Sequence, residues 1–195
     1  MVLVNDALTG LDLNAAAALL PPWRLEKALR YVKEIDTRQS VAVWLLLREA
    51  CLRRGLPDVP PVAFGEHGKP FFPDHPSLHF NLSHCREAAA CAVSASPVGI
   101  DVEAVMPPDR EVMERVLSGE ETRGVLGSPD PAVEFTRLWT VKESYLKLTG
   151  EGLTDDLPGL LARAEGVRFR TVVRSRYVYT VAGHNDGDPL ADRGA

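Results

Sequence analysis

Pro97-Val98-Gly99-Ile100-Asp101-Val102-Glu103 decides how this chain is read. Val98, Ile100 and Val102 alternate with Gly99, Asp101 and Glu103, and side chains on a strand change face at every residue. The spacing predicts a strand with an apolar face against a core, while Asp101 and Glu103 leave together from the other. Two carboxylates this close repel, so one must hold its proton unless a cation stands between them. Hard divalent ions, magnesium above all, prefer such oxygen ligands. The plainer alternative is the wet face of an antiparallel strand, where Asp and Glu are common. Gly99 weighs against it, because glycine inside a strand marks a close backbone approach.

About forty residues on stands Trp139-Thr140-Val141-Lys142-Glu143-Ser144-Tyr145-Leu146-Lys147. Leu138, Val141, Tyr145 and Leu148 fall on one helical stripe. Glu143 and Lys147 lie opposite it, one turn apart, with Thr140 on the same side. Gly150 and Gly152 punctuate the end. Glu followed four residues later by Lys is also the favoured exposed ion pair of a solvated helix. Little of this helix is plainly polar, however, which predicts a packed helix with Glu143 facing a cleft. Upstream, Asn81-Leu82-Ser83-His84 follows Leu78-His79-Phe80, a short strand. A hydroxyl and an imidazole leaving a strand end suit phosphate oxygens, although a lone His is more often a structural hydrogen bonder.

These segments resemble the 4′-phosphopantetheinyl transferase superfamily, and within it the Sfp-like subgroup. The family pattern runs N-[IL]-S-H, G-[IV]-D-x-E, then W-x-x-K-E-[SA]-x-x-K. Asn81–His84, Gly99–Glu103 and Trp139–Lys147 carry all three in order. Gly68-Lys69-Pro70 matches the family's G-K-P, and Gly150-Glu151-Gly152-Leu153 its G-x-G ending. The resemblance covers roughly residues 20 to 160. It implies an α+β fold of two similar halves in a pseudo-twofold arrangement, residues 1–100 and 101–184, meeting near residue 100 with the site between them. It implies an enzyme that moves the phosphopantetheine arm of coenzyme A onto a serine of an apo acyl or peptidyl carrier protein, releasing 3′,5′-ADP.

By match to the family, Asp101, Glu103 and Glu143 hold magnesium, or manganese in its place. Glu143 is also the base for the carrier serine, and Lys147 contacts the pyrophosphate. Lys142 helps on the phosphate side. Ser83 and His84 meet coenzyme A phosphates, and Lys69 with Pro70 borders the adenine. Lys33 and Arg38 are matched to the 3′-phosphate. Glu121, in Ser118-Gly119-Glu120-Glu121, is assigned an accessory place near the metal or base. Family members of this kind are often longer, which implies fewer C-terminal contacts to the carrier.

Composition sets wider bounds. At 195 residues the chain buries a sizeable core. Its net charge of −5 excludes a general nucleic-acid binder. Neither a secretory apolar region nor a membrane-spanning run is visible. Cys51, Cys85 and Cys91 are odd in number and lack metal spacing, so buried thiols in a reducing cytoplasm are expected. The remaining pattern predicts helices over 11–20, 23–31 and 37–52, the last with Val41, Trp44, Leu45, Leu47 and Leu52 on its core face. It predicts turn–helix–turn over 107–131, a hairpin over 166–183 with its arginines on a solvated face, and a frayed tail over 185–195. Residues 23–54 are locally basic, either as a solvated helical face or as a patch for phosphate or an acidic carrier. His67, His75 and His79 have no partner at zinc-site spacing. Arg48-Glu49-Ala50 opens like a Nudix helix, but Leu52, Arg53 and Arg54 stand where that helix needs acids. A monomer is expected, because both halves lie on one chain. Two other readings remain: a binding module without transfer, and a hydrolase that cleaves coenzyme A with water in place of serine.

Overall fold

The computed structural model describes residues 1–152 and 156–184. The chain begins with β1 (Val2–Asn5) and a 3-10 turn, then α1 (Leu13–Ala17), α2 (Pro22–Leu29) and the long α3 (Glu34–Arg53). A short ribbon, β2 (Ala63–Phe64) and β3 (Pro70–Phe71), leads to the hairpin of β4 (His79–His84) and β5 (Ala89–Ser94). After a bend at 95–97 come β6 (Val98–Ala104), α4 (Arg110–Val116), α5 (Gly119–Gly127) and the second long helix α6 (Pro131–Thr149). The hairpin of β7 (Val167–Val173) and β8 (Tyr177–His184) closes the described chain. The sheet orders are β1-β5-β4 and β6-β8-β7, all antiparallel. The class is α+β. In both sheets a leading strand is followed by helices and then by a hairpin, whose last strand pairs with the leading one. The bend at 95–97 lies between the strands of the first sheet and those of the second, and residue 100 falls inside β6. The tail at 185–195 and Leu153 lie outside the described residues.

Local chemistry explains the helix ends. The Asp12 side chain accepts from the backbone N–H groups of Asn14 and Ala15 and caps α1. Pro22 opens α2 and Pro131 opens α6, where a missing N–H costs nothing. Gly150 ends α6 at φ +76°, the left-handed conformation that glycine adopts freely. The stretch 107–131 forms two helices rather than the one expected. Leu117 and Ser118 are extended, and Ser118 with Glu121 makes a capping box that starts α5 afresh.

The first core lies between α3 and the β5 face bearing Ala89, Cys91 and Val93. Small residues on β5 let the helix settle close to the sheet, and Val41, Trp44 and Leu47 fill the space between. Leu45 is only partly buried, and Leu52 is exposed on the outer side of the last turn, contrary to expectation. Helical phase has carried Leu52 off the sheet by that point. Cys51, Cys85 and Cys91 are free, buried thiols. Arg168 and Arg170 do face outward on β7.

The strand β6 is buried on both faces, so the wet-face reading of Asp101 fails. Val98, Ile100 and Val102 join the alanines of β5, while Gly99 and Asp101 face α6. A Cβ at Gly99 would stand 2.0 Å from the Ser144 carbonyl oxygen and 2.5 Å from the Leu148 nitrogen. The helix therefore rides directly on the backbone of β6. Thr140 of α6 and Thr171 of β7 each share a 2.8 Å hydrogen bond with the Thr180 hydroxyl and pin the helix to the sheet. Gly99→Ala is expected to destabilise the fold by about 3 kcal/mol or more, because backbone and not a flexible side chain must yield. Gly124→Ala, on the open face of α5, is expected to stabilise it by about 0.5–1 kcal/mol. Chemical denaturation of the two variants checks the pair; equal effects would contradict the packing described.

Candidate active site

The two sheets meet along β4 and β6 through side chains. Asn81 and Ser83 point across the seam, where Asn81 Oδ1 accepts from Ile100 N at 2.9 Å and Ser83 Oγ from Val102 N at 3.2 Å. Ser83 in turn donates to Asp101 Oδ1 at 2.9 Å, and Lys147 Nζ donates to the same carboxylate oxygen at 2.6 Å and to Ser83 Oγ at 2.9 Å. With one proton to give and two lone pairs, the Ser83 hydroxyl is fully used. Asp101 is 2 % exposed, and its Oδ2 is buried without a hydrogen-bond partner.

Glu103 and Glu143 complete an acidic group around Lys147. Burial pushes the Glu103 carboxyl up to about 7; the charge of Asp101 adds to the rise, while Lys147 and a hydrogen bond from the Trp139 side chain oppose it. Glu143, one helical turn before Lys147, is raised by burial and then by Asp101, with Lys147 again opposing. The sequence-predicted Asp101, Glu103, Glu143, Ser83 and Lys147 are thus brought together. Among the described residues, no three acidic, imidazole or thiol groups yet converge closely enough to hold an ion. The donor set itself suits a hard cation: three carboxylates, two with raised pKa values, and one oxygen lacking any partner.

A cleft of about 280 Å³ opens beside this group, lined by Glu143, Lys147, Lys69, Pro70, Asn81 and Leu82 among others. Lys69 lies in the turn between β2 and β3 and donates to the Leu148 carbonyl at 2.6 Å. Burial lowers its pKa to about 8. Gly150 keeps α6 clear of it, since a Cβ there would come within 3.0 Å of the lysine chain.

A second cavity of about 210 Å³ shares Gly68, Pro70 and Leu82 with the first. Trp23, Lys27 and Tyr31, spaced by four, line one wall from α2 and the residues after it. Arg24, Ser40 and Trp44 line another, and Arg24 Nε, Ser40 Oγ and Trp44 Nε1 are all buried without a partner. Arg24 is held by the Ser40 carbonyl at 2.7 Å and by the Trp44 ring. His84 also lines this cavity, its Nδ1 3.1 Å from Gln39 Oε1. Its pKa is lowered by burial, then by Lys147 and Arg24. Both Ser83 and His84 sit inside β4 rather than beyond its end, so period two sends them to opposite faces.

Four sequence-predicted residues lie elsewhere. Lys142 turns inward: it is 1 % exposed, pairs with Glu121 Oε2 at 2.9 Å and donates to the Leu157 and Pro158 carbonyls. Glu121 spends its carboxylate on that pair and on the backbone N–H of Ser118, and so belongs to the α5 cap rather than to the acidic group. Arg38 is bound to the carbonyls of Thr9 and Leu11 and to Glu34. Lys33 is the exposed N-cap of α3. Neither Lys33 nor Arg38 lines the two cavities. Arg24, Lys27 and Ser40 were not singled out from sequence. The four-residue spacing of Trp23, Lys27 and Tyr31 was the available signal.

Two outcomes follow from these placements. Lys142→Met is expected to lower stability by about 3 kcal/mol, because it strands Glu121 and leaves the Leu157 and Pro158 carbonyls without their donor. A denaturation curve matching the wild type would contradict the buried tie. In EDTA, Glu103 holds its proton more tightly folded than unfolded, so the native state binds more protons between pH 4.5 and about 7. Stability therefore falls as pH rises through that window, by on the order of 2 kcal/mol. Glu103→Gln is expected to remove that slope; an unchanged pH profile of the melting temperature would contradict the assignment.

Comparison with known proteins matches the stretch of chain that carries β6 and α6. The family model described as the 4′-phosphopantetheinyl transferase superfamily matches residues 97–178, from the start of β6 into β8. A curated "4′-phosphopantetheinyl transferase" of Bacillus subtilis is 33 % identical over 142 residues, covering 71 % of this chain and 63 % of that protein. The "4′-phosphopantetheinyl transferase Sfp" of Bacillus subtilis strain 168 is 31 % identical over 150 residues, 75 % of this chain and 67 % of its own length. "4′-phosphopantetheinyl transferase AcpT" of Salmonella typhimurium is 37 % identical over 114 residues, 56 % and 59 % of the two chains. The matched part spans 59–67 % of these relatives' length, less than two thirds of the first. An intact acidic group on β6 and α6, inside the matched region, agrees with this similarity: the chain belongs to the 4′-phosphopantetheinyl transferase superfamily, among its Sfp-like members.

Proposed function

We propose that this protein transfers the 4′-phosphopantetheine arm of coenzyme A to a serine of an apo acyl or peptidyl carrier protein, releasing 3′,5′-ADP. The observation that carries this reading is a single one. The acidic group with Lys147 opens onto a cleft that continues into a basic cavity holding three unpartnered polar atoms. Coenzyme A has the matching charge order, a pyrophosphate between a nucleotide and a neutral arm.

In this reading the nucleotide end occupies the second cavity. Lys27, Arg24 and His84 surround the 3′-phosphate there, in place of Lys33 and Arg38, and Ser40 supplies a hydroxyl. Lys69 and Pro70 border the base. The pyrophosphate lies in the first cleft against Lys147. Asp101, Glu103 and Glu143 would hold magnesium. The ion, when bound, neutralises charge that builds on the phosphate oxygens. The carrier serine oxygen attacks the phosphorus on the pantetheine side. A new P–O bond forms, the bond to the bridging oxygen breaks, and 3′,5′-ADP leaves with the electron pair. Glu143 takes the hydroxyl proton; its raised pKa suits a group that must accept one near neutral pH. Lys147 faces the charge on the leaving group.

The pseudo-twofold relation of the two halves belongs to the same proposal. Both sheets have the order leading strand, last strand, middle strand, and the site lies at their seam. With both halves on one chain, the site needs no second copy. Hydrolysis of coenzyme A is the alternative that the same groups allow, with water in place of serine.

The test is intact mass of an apo carrier protein after incubation with the protein, coenzyme A and magnesium. A gain of one phosphopantetheine is expected. The gain is expected to vanish with EDTA and in Asp101→Ala, and to fall by at least about 100-fold in Glu143→Gln. No gain with either acyl or peptidyl carriers would overturn the transferase reading, and phosphopantetheine released without a carrier would establish hydrolysis.

A further inference from the structure

Lys147 is placed where it competes with any metal. Its ammonium lies 2.6 Å from Asp101 Oδ1 and 2.9 Å from Ser83 Oγ, which itself holds Asp101 at 2.9 Å. Asp101 is 2 % exposed in its side chain and Lys147 29 %, so the lysine lies between the carboxylate and the cleft. The cleft is lined by Glu143 and Lys147, with Asp101 behind them. The other cations nearby are committed: Lys69 to the Leu148 carbonyl, Arg24 to the Ser40 carbonyl, and Lys142 to Glu121. Lys147 is therefore the cation that pairs with Asp101 and opposes the rise of both Glu103 and Glu143. A divalent ion bound at Asp101 would share one carboxylate with an ammonium a few ångströms away. Like charges that close repel strongly at the effective dielectric of a protein surface, and a divalent ion doubles the repulsion.

We propose that Lys147 is the resident cation of the free site, and that a divalent ion reaches Asp101 only after Lys147 has crossed to the pyrophosphate of the substrate. The inference rests on the transferase reading for the identity of that pyrophosphate. It goes further by setting the order of assembly: metal enters with coenzyme A and not before it. The exchange is possible because the side chain is long and its head is already at the cleft. Ser83 sets its resting position, since the hydroxyl accepts from Lys147 while donating to Asp101. Metal and coenzyme A then strengthen each other's binding by the same factor, as linkage requires.

The test is a Mn2+ titration of the full-length, EDTA-stripped protein, read by the electron paramagnetic resonance signal of the free ion. Wild-type protein without coenzyme A is expected to bind Mn2+ weakly. Lys147→Met is expected to bind it at least about tenfold more tightly, and Lys147→Arg to stay near the wild type. Coenzyme A is expected to tighten Mn2+ binding by about tenfold or more in the wild type and by clearly less in Lys147→Met. Tightening through direct contact of phosphate with metal survives in that variant, so the difference isolates the lysine. Equal or weaker Mn2+ binding by folded Lys147→Met, without coenzyme A, would overturn the proposal. Should the methionine variant fail to fold by circular dichroism, Ser83→Ala takes its place. It frees Lys147 from one of two anchors, and unchanged Mn2+ affinity there would overturn the proposal equally. Coenzyme A binding, followed separately by calorimetry, tells the two failures apart. Its absence removes the transferase reading, while the arm without coenzyme A still decides the role of Lys147.

Discussion

The seam between β4 and β6 is the constraint on which the rest depends. Two sheets lie edge to edge, and the outward N–H groups of Ile100 and Val102 are buried there. An unpaired buried N–H costs about as much as a lost hydrogen bond. Here Asn81 and Ser83 supply the acceptors, so the seam is closed by two side chains instead of a continuous ladder. That solution leaves a polar gap between the sheets, and Asp101 stands in it. A fully paired six-strand arrangement would have no such gap. The same atoms that join the halves therefore create the site, and Ser83 serves both purposes through one hydroxyl.

Helical phase then sorts the charges of α6. Successive residues turn by about 100°, so Glu143 and Lys147 share a face while Lys142 points well away. One lysine of the family pattern meets the cleft, and the other is buried against Glu121 and two loop carbonyls. The close approach at Gly99 transmits this sorting to β6. With no side chain between helix and strand, Lys147 reaches Asp101 directly. The close seating of α6 on β6 and the contact of the two charges follow from one missing Cβ.

The sequence showed the parts that depend on period and pattern. Alternation along β6, the stripe of α6, its end at Gly150, and the terminal hairpin all appear as expected. The acidic group was legible because three ordered segments resemble one family. What depended on the third dimension was not. Lys142 and Lys147 look alike in a string, and only packing against α5 separates them. Arg38 stands in a basic stretch, but loop carbonyls brought back by the chain claim it. Ser83 and His84 are neighbours whose side chains part, one to Asp101 at the seam and the other to the second cavity, because the strand continues through them. Arg24 and Lys27 were hidden among eight basic residues until α2 showed which of them line the second cavity.

The energetics of the group point to why it is arranged this way. Burying Asp101, Glu103 and Glu143 together opposes folding, which is visible in the raised carboxyls of both glutamates. A site of carboxylates alone would lean on a permanently bound ion for its stability, and would release it reluctantly when the product leaves. An internal ammonium offsets part of the repulsion without that dependence. It is tethered, so its effective concentration at Asp101 is high, and it withdraws only when a stronger anion is offered. A pyrophosphate is such an anion. On the proposed order of assembly, the lysine that offsets the buried charge is the same one that faces the leaving group, and the carboxylates it vacates would become available to the ion when phosphate oxygens can share it.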